Sequence, residues 1–242
     1  MCEILTIQGN SQNIHFGKNE IKEARENNPD GAGYVIFDRD GKGGYAINDF
    51  ATFGICETGW RYYAYDDIFC RFGDTFDSKK DKKNKKDEAV KAIFEKQCQL
   101  KCDQFMICHF RLATSGYGGE NTQPILKTDY LVIHNGIFSF YNIPKKMSDT
   151  KFFADKMEQM ARKIGIGEKD TKKENKLIGK MLKYAGGSYS MFIYSHITKR
   201  LYYVKNNSTS FFWSFDDILG STREDRFPRF VKKAVENKLF IM

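Results

Sequence analysis

The chain has 242 residues, and 41% of them are hydrophobic, so it is long enough to bury a substantial core as one large domain or two small ones. Its formal net charge is +8, which leaves nucleic acid open as a partner, but much of that charge lies in one lysine run at residues 78–87 that is typical of a solvated loop. No run approaches the roughly 18 apolar residues of a membrane span, and no signal peptide precedes the first predicted strand, so we expect a cytoplasmic protein with no membrane partner.

The first half of the chain is predicted to be mostly strands. The predicted elements are, in order, a strand at 2–8, a helix at 18–26, a turn at 28–31, a strand at 33–37, and a hairpin turn at 40–44 that leads into a third strand. Between residues 60 and 88 aromatic side chains are mixed with charges and the pattern breaks down, which predicts an insertion. Residues 88–99 then carry apolar side chains at helical spacing.

The second half is predicted to alternate between strands and helices. Residues 105–112 form a strand in which His109 and Arg111 share one face. The other predicted elements are a strand at 130–133 that stops at 134–136, a helix that starts at 148–149, a helix at 174–184, strands at 189–194, 201–204 and 210–215, and a helix in the tail after Pro228. This order predicts antiparallel sheets with helices packed outside them, an α+β class.

The six cysteines do not show the spacing of a metal site. No CxxC pair occurs, and Cys98 and Cys102 on one predicted helix lack the second pair that a zinc site needs. Reduced structural thiols are the favoured interpretation, so we expect neither a metal nor a cofactor.

The first two residues, Met1 and Cys2, carry a candidate nucleophile. If Met1 is removed, as expected for a residue as small as cysteine at the second position, Cys2 presents a thiol and a free α-amine together. The amine has a reference pKa of about 7.7–8.0 and the thiol one of about 8.5, so either group can exchange a proton near neutral pH. A terminal amine that acts as base for its own side chain is a recognised way to activate a nucleophile.

Five further motifs follow Cys2 in a fixed order. They are Asp30–Gly33 (DGAG), His109–Thr114 (HFRLAT), Asn121–Pro124 (NTQP), His134–Gly136 (HNG) and Ser148–Thr150 (SDT). Together they resemble the class II glutamine amidotransferases, the N-terminal-nucleophile glutaminase domains of glucosamine-6-phosphate synthase, glutamine phosphoribosylpyrophosphate amidotransferase and their relatives. The resemblance covers residues 1 to about 195 and is closest to stand-alone members, including ones encoded by large bacteriophages.

The resemblance implies both a fold and a reaction. The fold is a four-layer αββα sandwich of two antiparallel sheets flanked by helices, and the reaction is hydrolysis of glutamine to glutamate and ammonia through a γ-glutamyl thioester on Cys2. We expect residues 1–242 to form one such domain, with a Lys-rich insertion at about 60–88 and a C-terminal strand/helix extension at about 196–242. Since no room for a synthase domain remains after about residue 215, the ammonia is expected to serve a separate acceptor protein.

The chemistry of glutamine suggests roles for residues in these motifs. Arg111 suits the α-carboxylate, because a guanidinium binds it in bidentate fashion, and Asp149 suits the α-ammonium. The side-chain amide of Asn135 and the backbone N–H of Gly136 suit the oxyanion that develops when the thiolate attacks.

The resemblance implies further roles. It places Thr114 and His134 at the substrate, although both His134 and His109 are more readily interpreted as structural. Asp30 is expected to organise the amine of Cys2, and Gly31 and Gly33 to shape the backbone beside it.

Each assignment also has a structural alternative. Arg111 could serve in an ion pair, Asp149 could interact with a helix dipole, and Asn135–Gly136 could be a simple turn. The sequence also departs from the family at Asn27–Pro29, where an Arg-Gly pair is usual, and at Leu112, where an aromatic residue is usual. Further departures are Phe140 in place of an asparagine and Lys151 in place of an acidic residue. They leave room for an amide other than glutamine.

Three functions therefore remain open. The first is a glutaminase that supplies ammonia to a separate enzyme, and the second is an amidohydrolase that acts alone on another amide. The third is a catalytically inactive basic binding module in which residues 60–65 and 79–86 contact nucleic acid.

Overall fold

The computed structural model describes residues 2–56, 59–64, 67–71, 79–116, 119–214, 216–227 and 231–242, and it describes their side chains except at 55–87 and 231. In chain order the elements are β1 (Glu3–Gln8), α1 (Lys18–Asn27), β2 (Gly31–Arg39), β3 (Tyr45–Cys56), β4 (Gly59–Ala64), β5 (Asp67–Arg71), α2 (Lys79–Cys98), β6 (Gln104–Arg111), β7 (Ile125–Leu126), β8 (Tyr130–Ile137), α3 (Asp149–Ile164), α4 (Thr171–Ala185), β9 (Ser188–Ser195), β10 (Leu201–Lys205), β11 (Phe212–Ser214), β12 (Leu219–Ser221), β13 (Val231–Lys233) and β14 (Phe240–Ile241), with short 3-10 turns at Gly119–Asn121 and Glu224–Arg226.

The strands form two antiparallel sheets. The first has the order β13-β11-β12-β1-β6-β2-β3-β4-β5, and the second has the order β14-β10-β9-β8-β7. Strand β1 lies inside the first sheet, between β6 and β12, and β8 lies inside the second, between β9 and β7. The strand that begins beside Cys2 is therefore paired along both of its edges.

Three apolar layers separate the sheets and helices. The side chains of Leu5 and Ile7 pack with α1 and α2 on one face of the first sheet, whereas Ile4 points into the layer between the sheets. On the far side, Val132 of the second sheet packs with α3 and α4. Since fully burying one large apolar side chain stabilises a fold by about 1.5–3 kcal/mol, these layers hold the sandwich together. The predicted four-layer αββα arrangement is confirmed.

Residues 79–87 of the lysine run are helical, which corrects the expectation of a loop. Strands β4 and β5 extend the edge of the first sheet, and α2 begins at Lys79 and continues to Cys98. Lysine is a good helix former, and the buried residues Ala89 and Ile93 anchor the second half of the helix on the sheet, so the first half can propagate from it. The aromatic side chains of residues 60–65 and the lysine side chains of 79–86 lie outside the described residues.

The tail after Pro228 also differs from its prediction. Residues 228–230 lie outside the described residues, and the described part that follows forms β13 and β14 rather than a helix. Strand β14 pairs with β10, and Phe240 packs against the ring of Tyr203, so pairing at the edge of a sheet overrides the helical spacing of the sequence. The assignment of all 242 residues to one domain stays a prediction.

None of the helices in the described ranges is both long enough and apolar enough to span a bilayer. Among the described side chains, no group of three or more His, Cys, Asp or Glu residues is placed to hold a metal ion.

Candidate active site

Segments that are far apart in sequence meet at one end of the sandwich. Strand β1 pairs antiparallel with β6, and Glu3 lies opposite Phe110, so Cys2 lies beside the end of β6. The Nε2 of His109 in β6 donates to the carbonyl oxygen of His134 in β8, 3.2 Å away, and this bond links the two sheets. The start of β1, the end of β6 and the end of β8 are thereby held together.

A small cavity of about 20 Å³ lies where these segments meet. Six of the predicted site residues line it, namely Cys2, Arg111, Thr114, His134, Gly136 and Asp149. Five other residues complete the lining, namely Leu112, Ser115, Gln123, Ser148 and Thr150. All of them except Ser115 fall within the motifs that carry the family resemblance, so that signal could have identified Leu112, Gln123, Ser148 and Thr150. A space of this size holds about one water molecule.

The thiol of Cys2 contacts the backbone of Leu112. Its Sγ lies 3.4 Å from both the carbonyl oxygen and the amide nitrogen of that residue. Burial raises the pKa of the Cys2 thiol, while the hydrogen bond to Leu112 and the charge of Arg111 oppose that rise. The thiol therefore needs a base before it can act as a nucleophile near neutral pH.

The guanidinium of Arg111 is buried and bonds the loop that follows β6. Its Nη2 donates to the carbonyl oxygen of Ser115 at 2.8 Å and also to that of Gly116. The same loop is attached to α3, because the amide of Asp149 donates to the hydroxyl of Ser115 at 3.4 Å. Ser115 of this loop lines the cavity, and the carbonyl oxygens of Ser115 and Gly116 contact the guanidinium that is predicted to bind a carboxylate.

Asp149 is the first residue of α3 and faces the cavity. Ser148 caps the helix by accepting from the amide of Lys151 at 3.2 Å. The Asp149 carboxylate accepts from the amide of Phe138 and from the amide of Thr150, each at 2.8 Å. The carboxylate is thereby fixed in direction, and its place in a first turn also matches the helix-dipole alternative.

Both ring nitrogens of His134 are engaged by neighbours. Nε2 donates to the carbonyl oxygen of Ser188 at 3.1 Å, and Nδ1 accepts from the hydroxyl of Thr150 at 3.0 Å. Burial lowers the pKa of His134, and the nearby Asp149 carboxylate opposes that shift, so this arrangement suits a neutral ring. His134 thus lines the cavity but orients Thr150 and Ser188, which agrees with its structural interpretation.

The two predicted oxyanion donors differ in their relation to the cavity. Gly136 lines it with φ of +143°, and a methyl group at this position would overlap the carbonyl oxygen of Ser188, so only glycine fits. Asn135 does not line it. Its Oδ1 is buried and has no hydrogen-bond partner in the part of the chain that the structure describes. Since Ile133 points between the sheets, the alternation along β8 directs Asn135 to the same layer.

The three predicted supporting residues lie behind the cavity rather than in its wall. The Asp30 carboxylate accepts from the amide of Ala113 at 2.7 Å, and the Asp30 amide donates to the carbonyl of Arg111 at 3.0 Å. Asp30 therefore braces the end of β6. A methyl group on Gly31 would crowd the side chain of Thr122, and one on Gly33 would overlap the carbonyl of Gln123, so both glycines allow that segment to approach β2.

Sequence reasoning missed the residue that supports the turn before β2. Arg25 of α1 is buried, and its Nη1 donates to the carbonyl oxygen of Asn28 at 2.7 Å. Burial lowers the pKa of Arg25 to about 10, and the negative charge of Asp30 opposes that shift. A guanidinium thus reaches this turn from the preceding helix, although the usual Arg-Gly pair is absent from it.

A larger cavity, of about 500 Å³, lies at the opposite end of β1. Its lining includes Gln8, Phe105, Tyr203, Trp213 and Phe240, and none of the predicted site residues. Because the nucleophile candidate and its neighbours surround the smaller cavity, that one is the candidate active site.

Comparison with solved structures identifies the fold. Glutamine phosphoribosylpyrophosphate amidotransferase from B. subtilis, complexed with ADP and GMP, matches 99% of this chain and 47% of its own length, with a TM-score of 0.52 and 15% sequence identity. A structure of the allosteric regulatory enzyme of purine biosynthesis matches 99% of this chain and 46% of its own length, with a TM-score of 0.54 and 15% identity. The fold is that of the N-terminal-nucleophile hydrolases.

The chain spans less than half the length of these two neighbours. No family profile matches the sequence, and no curated protein matches it. At 15% identity the likeness shows the fold alone, and the resemblance to stand-alone bacteriophage-encoded members stays a prediction.

Proposed function

We propose that this N-terminal-nucleophile fold acts as a glutamine amidohydrolase in which Cys2, exposed by removal of Met1, is the nucleophile. The observation that carries the proposal is the shared cavity, in which the Cys2 thiol meets Arg111, Gly136 and Asp149. An anion binder, a cation binder, a backbone donor and a thiol are the groups that hydrolysis of a free amino-acid amide requires.

In the proposed reaction the freed amine of Cys2 takes the thiol proton, and the sulfur attacks the γ-carbonyl carbon of glutamine. The Gly136 N–H, which lines the cavity, stabilises the oxyanion, a contribution typically worth about 10²–10³ in rate for one donor. Asn135 lies outside the lining, so its side-chain amide has to turn toward the bound substrate to act as the second donor. The C–N bond breaks, the amine gives its proton to the leaving ammonia, and a γ-glutamyl thioester remains. Water activated by the same amine then releases glutamate and regenerates the thiol.

Partial burial of the Cys2 thiol supports a mechanism that uses this amine as base. Because burial raises the pKa of the thiol, little thiolate forms without a base, and the α-amine on the same residue titrates near neutral pH.

We infer that the released ammonia serves a separate acceptor protein.

Glutamine binding requires the loop over Arg111 to move. The cavity of about 20 Å³ is too small for an amino acid. We infer that the substrate carboxylate replaces the carbonyl oxygens of Ser115 and Gly116 on the guanidinium, since a charge-assisted bond to a carboxylate is stronger than a bond to a neutral carbonyl. Asp149 then receives the ammonium group, and Thr114 contacts the bound substrate.

The proposal is tested by measuring ammonia release from glutamine together with intact mass after treatment with a glutamine-like electrophile. Processed wild-type protein is expected to lose Met1, release ammonia and gain one adduct on Cys2. Cys2→Ala and Arg111→Ala are expected to abolish ammonia release. The exposed thiol of Cys102 provides the matched control, and Cys102→Ala should behave as wild type. Unchanged ammonia release in Cys2→Ala would disprove the proposal.

A second candidate function has one observation in its favour. Leu112 lines the cavity where the family usually has an aromatic wall, so the pocket can accept a side chain of different shape. If glutamine is left intact while other γ-amides are cleaved through Cys2, the chain is an amidohydrolase on another amide.

A further inference from the structure

The residue next to the candidate nucleophile is a buried carboxylate. Glu3 is 1% exposed, and its two oxygens accept from Arg226 in a bidentate pair, Nε to Oε1 at 2.7 Å and Nη2 to Oε2 at 3.0 Å. Arg226 is itself 6% exposed and lies 223 residues away in sequence. A buried charge is tolerated only when it is paired and hydrogen-bonded, so each side chain fixes the position of the other.

Other charged groups around Glu3 extend this link to α1. The Nη1 of Arg226 donates to Glu23 at 2.8 Å, and Arg223 lies 3.6 Å from Glu23 and 4.0 Å from Glu3. Arg223 in turn pairs with Asp225. The contact from Arg226 is thus the close one, and it joins the first residue of β1 to the first helix.

Hydrogen bonds with the same C-terminal segment hold the next residues of β1. The amide of Ile4 donates to the hydroxyl of Thr222 at 3.1 Å, and the amide of Thr222 donates to the carbonyl of Ile4 at 3.1 Å. Beyond them Leu5 pairs with Ser221 in β12. Without this segment β1 would be an edge strand, with unpaired backbone groups beside the nucleophile.

We propose that Arg226 is a positioning residue for Cys2. It holds Glu3 against the sheet, and this sets how far the adjoining thiol reaches toward Arg111 and Gly136. The inference rests on the proposed function. It assigns part of the predicted C-terminal extension a role in the chemistry at the other end of the chain, through a contact that touches no substrate.

The test measures kcat and KM for ammonia release, and counts reactive sites by intact mass after saturating treatment with the glutamine-like electrophile. The variants are Arg226→Gln, Glu3→Gln and the double variant. Arg162→Gln is the matched control, because Arg162 also pairs with two carboxylates, Asp129 and Glu158, but on the exposed surface of α3. Rates are divided by the number of titrated sites, so molecules lost to unfolding do not count.

Arg226→Gln is expected to lower kcat per titrated site on the order of 10²-fold, the effect of misplacing a reacting group by about 1 Å. KM should stay unchanged, because Arg111 and Asp149 are intact. The double variant is expected to be no slower than Arg226→Gln, since the two residues act through each other, and Arg162→Gln should match wild type. If Arg226→Gln does not fold, Glu3→Gln and the charge-retaining Arg226→Lys carry the same expectation of lower kcat at constant KM.

A wild-type kcat per titrated site in Arg226→Gln would overturn the inference and leave the proposed function standing. Losses that simply add in the double variant would also overturn it, because Arg226 would then act independently of Glu3. Wild-type protein that neither releases ammonia nor gains an adduct on Cys2 would overturn the proposed function, and this inference with it.

Discussion

Lowering the pH from 7 to 5 is expected to destabilise the fold through His109. This ring is fully buried between the sheets, and its Nδ1 has no hydrogen-bond partner among the described residues. Burial, the charge of Arg111 and the neighbouring His134 lower the pKa of His109 from its ordinary value of 6.5 to about 3. The folded protein therefore keeps this ring neutral in a range where the unfolded chain takes up a proton.

This difference in proton binding determines the direction and size of the change in the free energy of unfolding. The stabilisation is fully present above pH 6.5 and is lost as the pH falls from there toward about 3. Each pH unit in that window costs about 1.4 kcal/mol, so the loss between pH 7 and 5 is about 2 kcal/mol for this one group. The carboxylates contribute mostly below this interval, because their reference pKa values lie near 4.

Urea unfolding at pH 7 and pH 5 checks the prediction when wild type is compared with His109→Gln. The glutamine can still donate to the carbonyl of His134, but it does not titrate. Its free energy of unfolding should fall by about 2 kcal/mol less than that of wild type over this interval. Equal losses in the two proteins would refute the reasoning, and would mean that the folded protein protonates His109 as readily as the unfolded chain does.

Two further predictions concern the stability of the fold, at the site and away from it. Gly136→Ala should abolish ammonia release and cost more than about 1–3 kcal/mol of stability, because the new methyl group adds overlap with Ser188 to an unfavourable φ. Gly179→Ala, in an open position on α4, should instead stabilise the protein by about 0.5–1 kcal/mol. Urea unfolding that ranks the two variants in the opposite order of stability would contradict this account. Glu174→Leu should lower the free energy of unfolding by more than about 3 kcal/mol in the same assay, since removing this fully buried carboxylate leaves four hydroxyl groups without their acceptor. The control Glu168→Leu, at an exposed position, should leave the free energy of unfolding nearly unchanged. A loss below about 1 kcal/mol in Glu174→Leu would show that the hydroxyl groups find other partners. The four hydroxyl groups belong to Tyr130, Ser195, Thr198 and Tyr202.

Local patterns predicted the elements that carry most of the site. The strand expected at 105–112 is observed as Gln104–Arg111, and the helix expected to start at 148–149 begins at Asp149. Both have strong local signals, namely a continuous apolar run in the first and a Ser cap before an apolar stripe in the second. The strand expected at 130–133 continues to Ile137, because pairing with β9 carries it through the polar residues 134–136.

Local sequence patterns could not predict the contacts between distant residues. The hydrogen bonds from Arg111 to the carbonyls of Ser115 and Gly116 depend on how a loop folds back, and the pairing of Glu3 with Arg226 joins residues near the two ends of the chain. The tail also forms strands rather than the predicted helix because of a contact with a distant part of the chain. Its apolar spacing suits a helix, yet the open edge of β10 offers Phe240 backbone partners and a packing surface.

The sequence by itself determined which chemical groups the chain has and the order in which they occur, because thiol, guanidinium, carboxylate and glycine are properties of single residues in short motifs. It also determined the alternation that directs His109 and Arg111 to one face of a strand, since that period is fixed by the backbone. Only the tertiary structure decided that Cys2, Arg111, Gly136 and Asp149 share one cavity, and that Arg226 pairs with Glu3, the residue after the candidate nucleophile. Such contacts depend on how the sheets and helices of the described residues bury their apolar faces together, and no local window of sequence contains that information.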